Sequence, residues 1–416
     1  MQTFVRKNPL AVIFLTVFVD LLGYGILIPV VPLLLTDPVS PYYLLPAGWS
    51  VGQGYFLLGV LLATYPLGQF FAAPILGQLS DQFGRKRILA VSLAGTCLGY
   101  VLFAVGVVLH NIPLLFASRL LDGLTGGNFA VAMASIADVS KPEHRAKNFG
   151  LIGAAFGLGF ILGPYLGGKL SDPNVLVWFS ASTPFWFAAG LSLLNIISIL
   201  AFFPETHQTR APWSALDWGK SVKNIFAAFK IPGVQLLFAT TFLINAGFTF
   251  FITFFSVFMI KRFGFQQGEI GDFFSYIGLW IVITQGIIVR QLAGRFPEAS
   301  ILKFSIPVLG VAVLLHFLPN GWSGLLLVAP VLAVANGLTQ ANLSALISRS
   351  VGPEVQGEVM GITSSLAAVA QTVPPLLSGV IAAALSPAAP IAVGALVLLL
   401  AGVLFTLHYR PAAVST

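Results

Sequence analysis

The stretch GQLSDQFGRKRIL (Gly77–Leu89) returns 213 residues later as RQLAGRFPEASIL (Arg290–Leu302). Three further echoes follow in the same order. GLTGGN (Gly123–Asn128) matches GLTQAN (Gly337–Asn342), KPEHRAKNFG (Lys141–Gly150) matches GPEVQGEVMG (Gly352–Gly361), and GPYLGG (Gly163–Gly168) matches PPLLSG (Pro374–Gly379). The offsets stay between 211 and 214. One such match is weak. Four in order at a nearly constant offset describe a chain built from two related halves.

Composition says what medium the halves occupy. Of 416 residues 57% are hydrophobic and only 8% charged, with mean hydropathy +0.92. Soluble domains carry about 25% charged residues, so this is an integral membrane protein. The net charge of +7 sits in short gaps between apolar runs instead of on one face or tail, which excludes nucleic acid as the partner. The lone Cys97 allows no intrachain disulfide and no cysteine metal site. The N-terminal apolar run is too long for a signal peptide, contains Asp20 and lacks a small-x-small cleavage site. It reads as a retained span.

A spanning helix needs about 20 mostly apolar residues. Twelve candidates appear, near 9–35, 53–79, 87–110, 112–138, 148–170, 183–203, 233–260, 269–293, 301–318, 323–348, 358–384 and 388–408. With both termini in the cytoplasm, Arg6, Lys7, Arg85–Arg87, Lys141, Arg145, Lys147, Arg210 and nearly all later cations lie inside. Only Lys169, Lys261 and Arg262 fall outside, and Arg119 lies within a span, so the positive-inside rule favours this orientation. The predicted fold is all-α: two six-helix pseudo-symmetric halves, 1–205 and 233–416, joined by a cytoplasmic linker, 206–232. In the linker, Trp218, Val222, Ile225, Phe226 and Phe229 share one helical face, with Lys220 and Lys223 elsewhere. That pattern suits a helix lying on the membrane surface. Parallel repeats of this kind place a substrate site between halves, near the midplane, open to each side in turn.

Polar residues inside spans are the functional candidates. In FVDLLGYGILIPVVP (Phe18–Pro32) an otherwise apolar span keeps Asp20, Gly23, Gly25, Pro29 and Pro32. A buried charge costs about 2.5–3.5 kcal/mol on insertion scales, so Arg119 in span 4 needs a partner. Asp122 is three residues on, on the same face. Asp20 is the alternative, being about 18 Å deep from one side where Arg119 is about 11 Å from the other, at 1.5 Å per residue. Span 5 carries Gly150, Gly159, Gly163, Pro164, Gly167 and Gly168, small residues that permit close helix approach and a bend. In the second half Asn245, Gln285, Asn336 and Gln340 lie near mid-depth beside aromatics such as Phe248 and Trp280. A cleft so lined suits a bulky, largely apolar ligand with few hydrogen-bonding groups.

The loop after span 2 reads G-x-L-x-D-x-x-G-R-K through Gly77, Leu79, Asp81, Gly84, Arg85 and Lys86. With the glycine series of span 5 and Arg119–Gly123 of span 4, it makes the chain resemble the major facilitator superfamily, and within it the twelve-span drug:proton antiporters that include the tetracycline exporters. The resemblance covers essentially the whole chain. It implies an exporter of a lipophilic small molecule driven by protons, a monomer of the inner membrane with no other cofactor. It also implies a cytoplasmic latch at Gly77–Lys86, an antiporter signature at Gly150–Gly168 and a proton-carrying Asp20 modulated by Arg119 and Asp122. The pattern departs in span 3, where those exporters carry an aspartate and this chain has Gly99 before Tyr100. Fewer membrane acids fit a simple one-proton exchange through Asp20. An uncoupled exporter or facilitator of a sugar or other metabolite is the alternative. No nucleotide loop, metal cluster or catalytic triad is present in the sequence, so an enzyme is not expected.

Overall fold

The computed structural model describes residues 8–141, 144–207, 215–231, 233–352 and 355–410. Arg6, Lys7 and Arg210, three of the cations expected inside, lie outside the described residues, as do the side chains of Arg145 and Lys147.

Among the described residues, twelve helices are long and apolar enough to cross a membrane: Pro9–Leu35, Val51–Phe83, Arg85–Val108, Ile112–Val139, Asn148–Leu170, Thr183–Phe202, Gln235–Phe263, Gln267–Leu292, Glu298–Leu315, Trp322–Arg349, Glu358–Ala384 and Ala389–His408. We number them as spans 1 to 12. Helices are the outcome these sequences must take, because hydrocarbon offers a backbone N–H or C=O no partner outside its own segment. Asparagines start two of them. The Asn8 side chain accepts from Ala11 N–H and Asn111 from Leu114 N–H, each with a proline in the first turn.

Several details differ from the predicted boundaries. Span 2 runs on to Phe83, so a single residue, Gly84, turns the chain into span 3. Span 9 ends at Leu315, not at 318, because residues 316–318 leave the helix as a turn and bend. Span 4 is interrupted at Gly126–Gly127, between helical segments Ile112–Thr125 and Asn128–Val139. Span 8 contains a π-helical stretch, Thr284–Ile288. The linker holds a nine-residue helix, Lys220–Ala228.

The chain divides into two compact units: 1–49, 64–220 and 266–275 in one, 50–63, 221–265 and 276–416 in the other. In the first, spans 1 and 5 touch backbone to backbone. A Cβ added at Gly163 would lie 2.8 Å from Gly25 Cα and 2.8 Å from the Leu22 carbonyl. Thr16 of span 1 donates to the Asn195 side chain of span 6 at 3.3 Å, and Phe103 packs on Phe185 at 4.2 Å between centroids. The start of span 8 belongs here because Gly271 lies against the Pro164 carbonyl and Gly168. In the second unit Gly247 and Gly394 bring spans 7 and 12 together, and Gly59 of span 2 lies against Pro375 and Gly379 of span 11. Lipid tails are as apolar as the side chains, so such close van der Waals contact, not solvent exclusion, holds these helices together.

Candidate functional site

The break in span 4 organises the polar centre of the first unit. Where the helix lapses at Gly126–Gly127, the Gly126 carbonyl accepts from Gln69 Nε2 at 2.7 Å. The same nitrogen lies 3.2 Å from the Tyr65 hydroxyl. Asn128 then restarts the helix, its Oδ1 accepting from Phe129 N–H at 2.9 Å. That fixes the amide so that Nδ2 donates to Asp20 Oδ1 across to span 1, at 3.1 Å.

Of the two partners open to Arg119, the structure selects Asp122. The pair is 3.1 Å apart, one turn along the same helix, and both side chains are buried. The guanidinium also sits over the rings of Tyr100 and Phe103, 5.6 Å and 5.0 Å from their centroids. The Tyr100 hydroxyl in turn occupies the space over Gly23 of span 1, which only a residue without a Cβ leaves free. An ion pair between Asp20 and Arg119 is not formed among the described residues. Rise per residue carries no angular information, and the arginine is turned toward the aromatic side of span 3.

Nothing in the pattern reading singled out Tyr100 as a platform for the cation, or Gln69 and Tyr65 as clamps on the break. The Gly-Gly pair ahead of Asn128 was the available signal for the latter. Among the described residues Arg119 Nε and Nη2 are buried without hydrogen-bond partners. Chemically, the unit holds one carboxylate on a neutral amide beside a separate buried ion pair. Asp20 can gain or lose a proton without breaking an ion pair.

The Gly77–Lys86 motif forms a second cluster. Gly84 takes φ +99°, a left-handed conformation that favours glycine. At the turn the first N–H groups of span 3 point outward without helical partners. Glu205, just past the end of span 6, accepts from Arg85 N–H at 2.8 Å and Lys86 N–H at 3.3 Å. Lys86 Nζ donates to the Leu200 carbonyl at 2.8 Å. The Arg85 side chain is buried and reaches Asp81 at 2.6 Å, Asp138 at 3.1 Å and the Ser80 hydroxyl. Asp138 also accepts from the Thr206 hydroxyl at 3.3 Å, with His207 Nδ1 at 3.9 Å.

Asp81 and Arg85 of the motif pair directly, whereas no local pattern points to Asp138 or Glu205. Both are acids at the ends of spans on the side the motif occupies, which was the signal to follow. Gly77, by contrast, has no atom of the described residues within 4 Å of where a Cβ would be, so no close approach among them explains that glycine.

The span 5 series is likewise uneven. Gly159 meets Leu21, Gly163 meets Gly25, Gly167 meets Ile26, and Gly168 meets Gln267 and Gly271, while Pro164 lies against both Gly25 and Gly271. Gly150 faces open space. Directly after the series, Lys169 pairs with Asp272 at 2.9 Å. The substrate candidates all fall in the second unit, on spans 7, 8 and 10. Asn245 donates back to the Thr241 carbonyl at 2.8 Å. Phe248 lies 5.9 Å from Phe251 and Trp280 6.4 Å from Tyr276. Gln285 is exposed within the π-helical stretch, a feature frequent at functional sites. Asn336 is buried with Oδ1 unpaired, and Gln340 is half-buried. No hydrogen bond among the described residues joins any two of these six.

The Major Facilitator Superfamily model matches residues 13–373. The class H tetracycline resistance protein of Pasteurella multocida is 33% identical, over 89% of this chain and 88% of its own. The quinolone resistance protein NorA of Staphylococcus aureus is 27% identical, over 88% of each chain. Among solved structures, the human organic anion transporter TETRAN is similar at TM-score 0.71 and 26% identity, covering 95% of this chain and 98% of its own.

Proposed function

We propose that this chain, which belongs to the Major Facilitator Superfamily, exports a lipophilic or amphipathic small molecule in exchange for protons by alternating access. Membership makes it a multi-pass transporter of the inner (plasma) membrane, related to tetracycline and quinolone efflux proteins, and not an enzyme. The exchange is our reading, and the observation that carries it is Asp20. This membrane carboxylate rests on the Asn128 amide, 3.1 Å away, while the nearby arginine is committed to Asp122. Protonation removes the charge that makes the acid costly in the span, and a ligand that favours one state shifts the population toward it.

In this reading protons are the coupling species and no other cofactor takes part. Both termini and the linker 206–232 are cytoplasmic, the halves 1–205 and 233–416 alternate, and the protein acts as a monomer. The Gly84 cluster latches the cytoplasmic side, and the span 5 series supports the opposite side. Asn245, Phe248, Trp280, Gln285, Asn336 and Gln340 contribute to the substrate cleft.

The test is purified protein in liposomes with a trapped pH dye, challenged with a panel of lipophilic compounds. Compound-driven proton movement is expected for the wild type. It should be lost in Asp20→Asn, with that variant keeping its elution profile and thermal transition. Transport without proton movement would replace this reading with an uncoupled carrier, and coupled transport by Asp20→Asn would remove Asp20 as the proton carrier.

A further inference from the structure

The linker helix Lys220–Ala228 has three faces. At 100° per residue, Ser221, Asn224 and Ala228 share one, and they are the ones turned to the protein. Ser221 and Ala228 are buried, and Asn224 Nδ2 donates to the Ser365 hydroxyl of span 11 at 3.1 Å. About 120° round, Trp218, Val222, Phe226 and Phe229 form an apolar face, every one exposed, Phe226 at 63% and Phe229 at 71%. About another 120° on lie Lys220, Lys223 and Lys230, also exposed. Ahead of the helix, Gln78 of span 2 clamps Asp217, accepting from its N–H at 2.9 Å and donating to its carbonyl at 3.4 Å. The helix is thus held by its polar side, with an aromatic side that the described residues leave uncovered.

We propose that this face docks on the bilayer and that the lysine flank selects anionic phospholipid. Two observations name the occupant. The helix runs beside the end of a candidate membrane span, since Asn224 lies against Gly361 of span 11, where the adjoining Met360 is itself exposed. The cationic flank then meets the layer just above the acyl chains, where phosphates lie. An aromatic face with a lysine border matches the interfacial belt and its anionic headgroups. A protein partner would leave that ordering of protein, apolar and basic faces unexplained. The linker helix is therefore a lipid-dependent strap resting on the membrane beside span 11.

This rests on the linker lying beside the bilayer, as proposed above, but not on proton exchange or on which side is cytoplasmic. The test accordingly uses symmetric bilayer discs and reads no transport. The full-length protein is reconstituted with bromine-labelled phosphatidylglycerol or bromine-labelled phosphatidylcholine at equal mole fraction. Trp218 fluorescence is taken as the difference between wild type and Trp218→Phe. At least twofold stronger quenching by the anionic lipid is expected, and it should fall to parity in Lys220→Gln/Lys223→Gln/Lys230→Gln. Three results would overturn the proposal: no quenching by either lipid, which would point to solvent or a protein partner; equal quenching by both in the wild type; or an unchanged preference in the triple variant. The wild-type comparison alone decides if the triple variant fails to fold.

Discussion

Replacing Gly163 by alanine tests whether the span 5 glycines act by packing. In an isolated helix the change stabilises by about 1 kcal/mol, since glycine is the poorer helix former. Here the added Cβ would sit 2.8 Å from Gly25 Cα and 2.8 Å from the Leu22 carbonyl. Both neighbours are backbone, so no side chain can rotate away and spans 1 and 5 must part. Restoring ordinary contact near 3.4 Å moves the helices by about 0.6 Å, and such gaps forfeit a quarter to a half of the affected van der Waals wells. Overpacking of this kind costs about 1–3 kcal/mol. Set against the propensity gain, Gly163→Ala should lose about 0–2 kcal/mol.

Gly150→Ala is the internal control. Among the described residues no atom lies within 4 Å of its Cβ position, so only the propensity gain, up to about 1 kcal/mol, remains. The two variants should differ by about 2 kcal/mol. At about 2–4 °C per kcal/mol for a unit near 200 residues, their melting temperatures separate by roughly 4–8 °C. Thermal unfolding of the purified proteins in one detergent measures this. If Gly163→Ala melts no lower than Gly150→Ala, the backbone contact between spans 1 and 5 is not what the glycine provides.

Gln69→Leu should lower stability by about 1–3 kcal/mol, because it leaves the Gly126 carbonyl unpaired at the helix break. The same thermal assay reads it, and a neutral result would mean the break needs no clamp. Asp138→Asn should destabilise more than Asp81→Asn, by about 1–3 kcal/mol against less than about 1. Both acids serve the buried Arg85, but Asp81 is 48% exposed and Asp138 only 22%. Equal losses would refute that order. A double-mutant cycle on Lys169 and Asp272 should return less than about 1 kcal/mol, since both partners are about a third exposed.

The spans were legible because hydrocarbon forces one answer, a helix about 20 residues long. What lay beyond reach was direction around each helix. Rise per residue gives Asp20 and Arg119 similar depths, yet each pairs with something else: Asn128 for the one, Asp122 for the other. Rise per residue is fixed and readable, whereas azimuth depends on how neighbours pack. The interruption at Gly126–Gly127 then resets the azimuth of everything after it. The same limit hid the difference between Gly150 and Gly163, which occupy equivalent-looking places in one pattern and have opposite surroundings. At the Gly84 turn the Asp81–Arg85 contact was readable because it is one turn long. Asp138 and Glu205 are 53 and 120 residues from Arg85, and no local pattern spans such distances.

That last separation bears on how the protein is made. Span 3 begins with N–H groups whose acceptor, Glu205, is synthesised 120 residues later. At about 5–20 residues per second, a ribosome takes about 6–24 s to cover that interval. Throughout it the start of span 3 must borrow water or lipid headgroups as acceptors. The segment Gly77–Lys86 can therefore be translated long before it is finished as a structure. A nascent chain halted after span 5 carries every residue of the motif without its clasp, which emerges only once all six spans before it have been made.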